Sequence, residues 1–307
     1  MICYIHDFNC KFYTYCCIFY AIFNTRLNNL GNNERTIMHN SKQFAILYHA
    51  KCSDGFGAAY SAWKYFKDEA LYIPVTHGDD PPQLPKSVKF LYILDFSYPR
   101  ETLQRLASEF TKVTVLDHHK TAQEALQGLS GPNLEIIFDM SKSGALLAWE
   151  YFQTSIPTPR LIKHISDRDL WKFELEGSME VHMAMLSRPM NFKVWDSFDV
   201  DTLIAEGKLL LGMHKMLVNR ICDKSFIRKI AGHEVPVVNT SIAWSEVGNR
   251  LLELYPDKPF AVSFTVEENS IMYSLRSRED FDVGAVAKQF GGGGHKQAAG
   301  FKHKELL

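Results

Sequence analysis

Acidic and imidazole side chains recur where short apolar runs end. His49 closes FAILYH, Asp54 follows in CSDGFG, Asp95 closes KFLYILD, and Asp117, His118 and His119 follow one another after KVTVL. Asp167 and Asp169 stand together in SDRDLW. Taken singly, an Asp after a strand is more often a helix N-cap than a ligand. The case for chemistry rests on several strand ends doing this together, and on the Asp117-His118-His119 triplet. Carboxylates and imidazoles without thiolates suit Mn²⁺ or Mg²⁺ better than structural zinc. Two such ions held close, with one carboxylate between them, would lower the pKa of a shared water and clamp the oxygens of an in-line phosphoryl displacement.

The elements that must position these residues follow from the patterning. FAILYH, LYIPV, KFLYILD, KVTVLD and LEIIFD read as strands. They alternate with helix-like AAYSAWKYF, RETLQRLASEF, HHKTAQEAL and SGALLAWEYF, the last with Ser143 near its start. Strand–helix alternation predicts an α/β fold with a mostly parallel sheet flanked by helices. In such sheets ligands bind beyond the carboxyl ends of the strands, so the Asp and His residues would share one rim. Residues 159–229 read as mainly helical, and a long connecting helix is expected in DTLIAEGKLLLGMHKMLVNRICDKSF. From Gly232 strands return as HEVPVVNT, PFAVSFTVEE and SIMYSLRS, then helical VGAVAKQF and the glycine-rich GGGGHKQAAGF. The expected organisation is a metal-binding domain at 38–200, a helical linker at 201–230 and a smaller α/β substrate-binding domain at 231–307, with the active site in the cleft between them.

The second domain has its own candidates. Gly291 to Gly294 would let backbone N–H groups approach an anion without side-chain obstruction. His295 and Lys296 add donors or charge, and Arg276 and Arg278 could grip phosphate by bidentate contacts. Trp63, Trp149 and Trp171 could stack bases or simply pack; Trp171, just after Asp169, is the best placed for a site wall. No GxxxxGK[ST] motif is present, so triphosphate hydrolysis is not indicated.

VLDHHK, with YHAKCSDGFGAA before it, LDFSY between and SDRDLW after, resembles the four motifs of the DHH phosphoesterase superfamily. GGGGHKQAAGF is similar to the signature of the DHH-associated C-terminal domain of RecJ-type exonucleases, nano-RNases and cyclic-dinucleotide phosphodiesterases. The resemblance covers about residues 44–302. It implies metal ligation by His49, Asp54, Asp95 (bridging two metals) and His118, with Asp167 as the fourth-motif ligand and Asp169 as the competing choice. It implies that Asp117 supports the metal centre and that His119 faces the scissile phosphate, the two forming the catalytic pair. Substrate binding would fall to Arg276, Arg278, Gly292, Gly293, Gly294 and His295. Many members carry D-x-D in the first motif. Here Lys51, Cys52 and Ser53 precede Asp54, so either one metal site is weaker or Cys52 or water fills the gap.

The activity implied is a metal-dependent phosphodiesterase that uses two Mn²⁺ or Mg²⁺ ions and an activated water on short oligonucleotides, as an oligoribonuclease, or on small nucleotides. The alternatives are a phosphatase acting on a 3′,5′-bisphosphate nucleotide, a cyclic-dinucleotide phosphodiesterase, or a non-catalytic RNA- or nucleotide-binding module.

Composition agrees with a two-domain globular chain: 307 residues, 46% hydrophobic and 22% charged. The net charge of -1 offers no global basic field for long duplex DNA, which favours short RNA or DNA oligonucleotides or nucleotides as partners. A homodimer stays open, and no membrane partner is expected. Six cysteines without a CxxC pair point to a reducing, cytoplasmic setting. Four of them lie in residues 1–37, a segment rich in Cys, Tyr, Phe, Ile and Asn that reads as an atypical extension upstream of a natural start at Met38, or else as a hydrophobic anchor.

Overall fold

The structure, a computed structural model, describes residues 42–76 and 78–307; the expectations for residues 1–37 lie outside the described residues. Five strands form the first sheet: β1 (Phe44–His49), β2 (Ala70–Val75), β3 (Phe90–Leu94), β4 (Lys112–Asp117) and β5 (Leu134–Phe138). Their order is β2-β1-β3-β4-β5, and every pairing is parallel. Helices α1 (Ser53–Phe66), α2 (Arg100–Glu109), α3 (Lys120–Ala125) and α4 (Gly144–Phe152) supply or follow the crossovers.

Side-chain alternation in each strand builds a core on both faces. Ala45, Leu47, Leu91, Ile93, Val113 and Val115 point to one side, where Leu103 and Leu106 of α2 cover them. Ile46, Tyr48, Leu94 and Leu116 point to the other, beneath α1 and α4. There Gly57 brings α1 so close to Ala145 of α4 that a Cβ would lie 2.8 Å from the alanine methyl. Side chains at β1, β3 and β4 ends are therefore fixed by a sheet buried on both sides.

Helices α5 (Arg160–Asp169), α6 (Ser178–Leu186) and α7 (Phe192–Asp196) complete this half, and α8 (Val200–Cys222) leads out of it. The Asp199 carboxylate caps α8 by accepting from the Thr202 amide at 2.9 Å. Beyond it stand β6 (Phe226–Ile230), β7 (His233–Asn239), α9 (Trp244–Leu254), β8 (Phe260–Val266), β9 (Ile271–Ser277), α10 (Val283–Gln289), β10 (Gly293–Gly294) and β11 (Ala298–His303). The second sheet has the order β10-β11-β9-β8-β7-β6 and is antiparallel except for β7–β8. Its core gathers Phe260, Val262, Tyr273, Leu275, Val283 and Phe301.

Residues 226–230 differ from the helical linker expected at 201–230. They form an edge strand whose first four residues are exposed, so no buried face imposes an alternating pattern. The strand is held by a hairpin to β7 in which Ala231 and Gly232 both take positive φ, 47° and 87°. Among the described residues no helix is long and apolar enough to cross a membrane.

Candidate metal centre

The cluster starts from the carboxyl ends of β1, β3 and β4, which are neighbours in the sheet. His49 ends β1, Asp95 follows β3 directly, and Asp117 ends β4. Asp95 takes a left-handed backbone (φ 64°), a region Asp tolerates better than most residues. Its amide donates to the Leu116 carbonyl at 2.9 Å, which ties the turn to β4. Asp54 sits in the first turn of α1, and Gly55 beside it lets that turn lie against the His49 carbonyl, where a Cβ would clash. The Asp54 carboxylate accepts from the amides of Gly144 at 2.6 Å and Ala145 at 2.9 Å, so it fills the N-terminus of α4. Gly144 is required there: a Cβ would stand 2.5 Å from the Asp95 Cβ.

Three carboxylates converge on the Nε2 atom of His118. It lies 3.1 Å from Asp95 Oδ1, 3.5 Å from Asp54 Oδ2 and 3.7 Å from Asp169 Oδ2. The second oxygen of Asp95 faces the other way, 3.5 Å from His49 Nδ1. Donor atoms of Asp54, His118 and Asp169 lie within 4.8 Å of one another, and so do those of His49, Cys52 and Asp95. Asp95 thus presents one oxygen to each donor group. Asp54, Asp95 and His118 are buried.

The electrostatics suit a cation. Burial, then the charges of Asp95 and Asp169, raise the Asp54 carboxyl well above its usual range. Burial raises Asp169 too. Burial works against the His118 imidazolium, yet Asp95, Asp54 and Asp169 push its pKa up to about 10. Burial also opposes the Asp95 charge, but hydrogen bonds from His118 and His49 hold it below the usual range. Three carboxylates around one imidazole, two of them buried, are short of positive charge, and oxygen and nitrogen donors of this kind fit Mn²⁺ or Mg²⁺. The Cys52 thiol, raised by burial and by Asp95, enters as a ligand only on losing its proton.

Asp117 does not face this cluster. Its Oδ1 accepts from the His118 amide at 2.7 Å, the His119 amide at 3.1 Å and His119 Nδ1 at 2.7 Å, while Oδ2 accepts from the Ser97 hydroxyl at 2.6 Å. Asp117 is fully buried. Burial disfavours its charge, but His119 and Ser97 keep its pKa low. The His119 ring stacks on His295 from the second domain, with centroids 4.7 Å apart and planes at 21°. His295 also reaches 5.0 Å from His118. Burial, with His119 and His118 nearby, pulls its pKa down to about 3, so it is a neutral imidazole.

Three expectations need correction. Asp167 points away from the cluster: its carboxylate accepts from the amides of Glu174 at 2.9 Å and Leu175 at 3.1 Å and from the Ser178 hydroxyl. Asp169, its competitor, is the one beside His118. Two residues along a helix are about 200° apart, so one of the pair must face elsewhere.

The glycine run is not an open anion cradle. The amides of Gly291, Gly292 and Gly294 donate to the Lys288 carbonyl (3.1 Å), the Ala287 carbonyl (2.9 Å) and Thr121 Oγ1 (3.1 Å). The run's lack of side chains serves close approach: a Cβ on Gly292 would strike the Gly300 carbonyl, and one on Gly293 would lie 3.0 Å from Thr121 Oγ1.

The two arginines are also engaged within the protein. Arg278 donates to the carbonyls of Leu252 and Lys258. Arg276 donates to Ser245 Oγ (2.7 Å), Ser274 Oγ (3.2 Å) and the Leu275 carbonyl (2.8 Å), and burial with nearby Arg168 lowers its pKa to about 10.

Sequence reasoning missed Ser97, Gly144, Thr121 and the pair Arg168–Glu246. That pair joins the two domains at 2.7 Å beside Asp169. Only Gly144, directly after the capping Ser143, carried a readable signal.

Residues 230–306 match the DHHA1 domain family. The chain is 34% identical over 300 residues to uncharacterized protein R106 of Acanthamoeba polyphaga mimivirus, covering 89% of this chain and 70% of that protein. It is 26% identical over 292 residues to the A-adding tRNA nucleotidyltransferase of Aquifex aeolicus (strain VF5), covering 84% of this chain but 32% of that protein. An exopolyphosphatase-related protein from Bacteroides fragilis shares the fold, with a TM-score of 0.52 and 13% identity over 90% of this chain and 91% of the other. Two α/β units with Asp and His side chains gathered at the first sheet's carboxyl rim define the class. The chain belongs to one family with R106 and carries a DHHA1 domain over residues 230–306.

Proposed function

We propose that the protein is a metal-dependent phosphodiesterase that hydrolyses short oligonucleotides or small nucleotides at the junction of its two domains, in the cytoplasm. The observation that carries this reading is Asp95, whose two oxygens face two separate donor groups, one through His118 and one through His49. His49, Asp54, Asp95, His118 and Asp169 would hold two Mn²⁺ or Mg²⁺ ions. Such ions, when bound, supply Lewis acidity to phosphoryl oxygens and acidify water.

The remaining steps belong to the chain's own side chains. Asp117 holds the Nδ1 proton of His119, which leaves Nε2 as the atom that meets the substrate. Burial opposes the His119 charge, but Asp117 raises its pKa, which favours a proton on Nε2 with which to stabilise the phosphoryl oxygens or to protonate the leaving oxygen. His295 stacks on His119 and covers one face of its ring. Arg276, held near Asp169, supplies positive charge at the junction. A net charge of -1 suits substrates with few phosphates.

The test is a substrate panel with Mn²⁺: di- to pentaribonucleotides, a longer single strand, cyclic dinucleotides and a 3′,5′-bisphosphate nucleotide. The expected result is mononucleotide release from the shortest linear chains, abolished by Asp95→Ala. Binding of these ligands without turnover in any divalent metal overturns the reading.

A further inference from the structure

A groove of about 550 Å³ runs between the two domains, lined by residues of both. Each of its lips begins two residues after a cluster residue: Trp171 follows Asp169, and Gln297 follows His295. We infer that this groove is a nucleobase subsite in which Trp171 and Phe173 stack the base, so that the ligand is a nucleotide and not a base-free phosphate ester or polyphosphate. The inference rests on the phosphodiesterase reading and adds to it the residues that hold the base.

Backbone geometry is the first support. Trp171 and Phe173 both take left-handed backbone conformations, φ 57° and 53°, which bulky residues adopt at a cost. Asp167 enforces them: its carbonyl accepts from the Lys172 amide at 2.9 Å, and its carboxylate takes the amides of Glu174 and Leu175. Asp167 is thus a positioning residue for this loop. The two rings pack edge to face at 4.9 Å, and Phe173 stays 37% exposed although the loop is pinned. The Arg168 guanidinium lies 5.6 Å from the Trp171 ring centre and is itself paired with Glu246 of the second domain.

Charge is the second support. The groove is lined by the carboxylate of Glu279 and by Glu253, which is paired with Arg250 at 2.6 Å, while its one arginine, Arg278, is bonded to the Leu252 and Lys258 carbonyls. Such a wall offers a further phosphate no unengaged guanidinium and accepts a neutral ring. Gln297 brings a carboxamide to the same wall, a group that pairs with base edges, and Asn249 adds its Oδ1, its Nδ2 donating to the Ser245 carbonyl at 2.8 Å. Stacking on an aromatic face tolerates any base, so the subsite would select for a base and not for its identity.

The experiment is calorimetric titration of the Mn²⁺-loaded full chain with AMP and with ribose 5-phosphate, for the wild type, Trp171→Ala and Trp171→Phe. Wild type is expected to bind AMP at least about tenfold more tightly than ribose 5-phosphate. Trp171→Ala should bring the two ligands within about twofold of each other with ribose 5-phosphate binding unchanged, and Trp171→Phe should keep most of the preference. Equal binding of the two ligands by the wild type overturns the inference without reference to any variant, as does an equal loss of both in Trp171→Ala. A base preference in a protein that hydrolyses no phosphodiester leaves the subsite standing and removes the phosphodiesterase reading. Dinucleotide hydrolysis without a base preference does the reverse.

Discussion

His119 Nδ1 lies 2.7 Å from Asp117 Oδ1, an oxygen that already accepts the backbone amides of His118 and His119. An oxygen so surrounded by donors belongs to an ionised carboxylate, so Nδ1 carries the proton and the tautomer of His119 is fixed. Asp117 therefore acts on the reaction through His119. Asp117→Asn removes the charge and leaves the metal donors in place. Turnover should fall by about two orders of magnitude or more, while bound Mn²⁺, measured by elemental analysis, stays at the wild-type level. His119→Ala should behave alike. Parallel loss of metal and turnover would make the pair ligands instead.

Asp167 and Asp169 should separate cleanly. Asp169→Asn should weaken Mn²⁺ binding in a calorimetric titration by about tenfold or more, because its carboxylate stands beside His118. Asp167→Asn should keep the Mn²⁺ affinity and lose about 1–3 kcal/mol of stability in urea unfolding, since it takes a charged acceptor from two amides and the Ser178 hydroxyl. The opposite pattern would restore Asp167 as the ligand.

The metal-free protein should become less stable as pH rises. Asp54 and Asp169 are raised above their ordinary 3.8, so the folded state keeps protons that the unfolded chain has released. His118, raised to about 10 from 6.5, does the same over a higher window. More protons bound in the folded state mean stability lost with increasing pH, from about pH 4 upward for the carboxylates and between 6.5 and about 10 for the imidazole. Asp95 and Asp117 are lowered, so their opposite contribution is lost only as pH falls below about 4. In chelator, the thermal midpoint should drop by about 5 °C between pH 6 and pH 8.5. Mn²⁺ should raise it, and raise it more at the higher pH. A midpoint independent of pH in chelator contradicts this.

Gly144 should tolerate no side chain. A Cβ would stand 2.5 Å from the Asp95 Cβ, at the amide that also holds Asp54. Gly144→Ala should cost about 1–3 kcal/mol and weaken Mn²⁺ binding, with the far-ultraviolet circular dichroism unchanged. Wild-type affinity would show that Asp95 has room to move.

Much of this centre was legible because a parallel sheet makes strand ends adjacent. Once FAILYH, KFLYILD and KVTVLD were read as parallel strands, His49, Asp95 and the triplet had to share a rim. What stayed hidden depended on orientation. The choice between Asp167 and Asp169 turns on the rotational phase of α5, which sequence spacing does not reveal. The glycine run announced close backbone approach, but not that the thing approached is Gly300 and Thr121 and not an anion. Phe226–Ile230 escaped because an exposed edge strand has no face to bury. Arg168–Glu246 escaped because its partners lie in different domains, 78 residues apart.

The central claim is that this cluster holds divalent ions, and anomalous scattering from crystals soaked in Mn²⁺ tests it most directly. Peaks are expected on both sides of Asp95, one among Asp54, His118 and Asp169 and one beside His49. Fully soaked crystals with no anomalous density within bonding distance of Asp95 and His118 would contradict it.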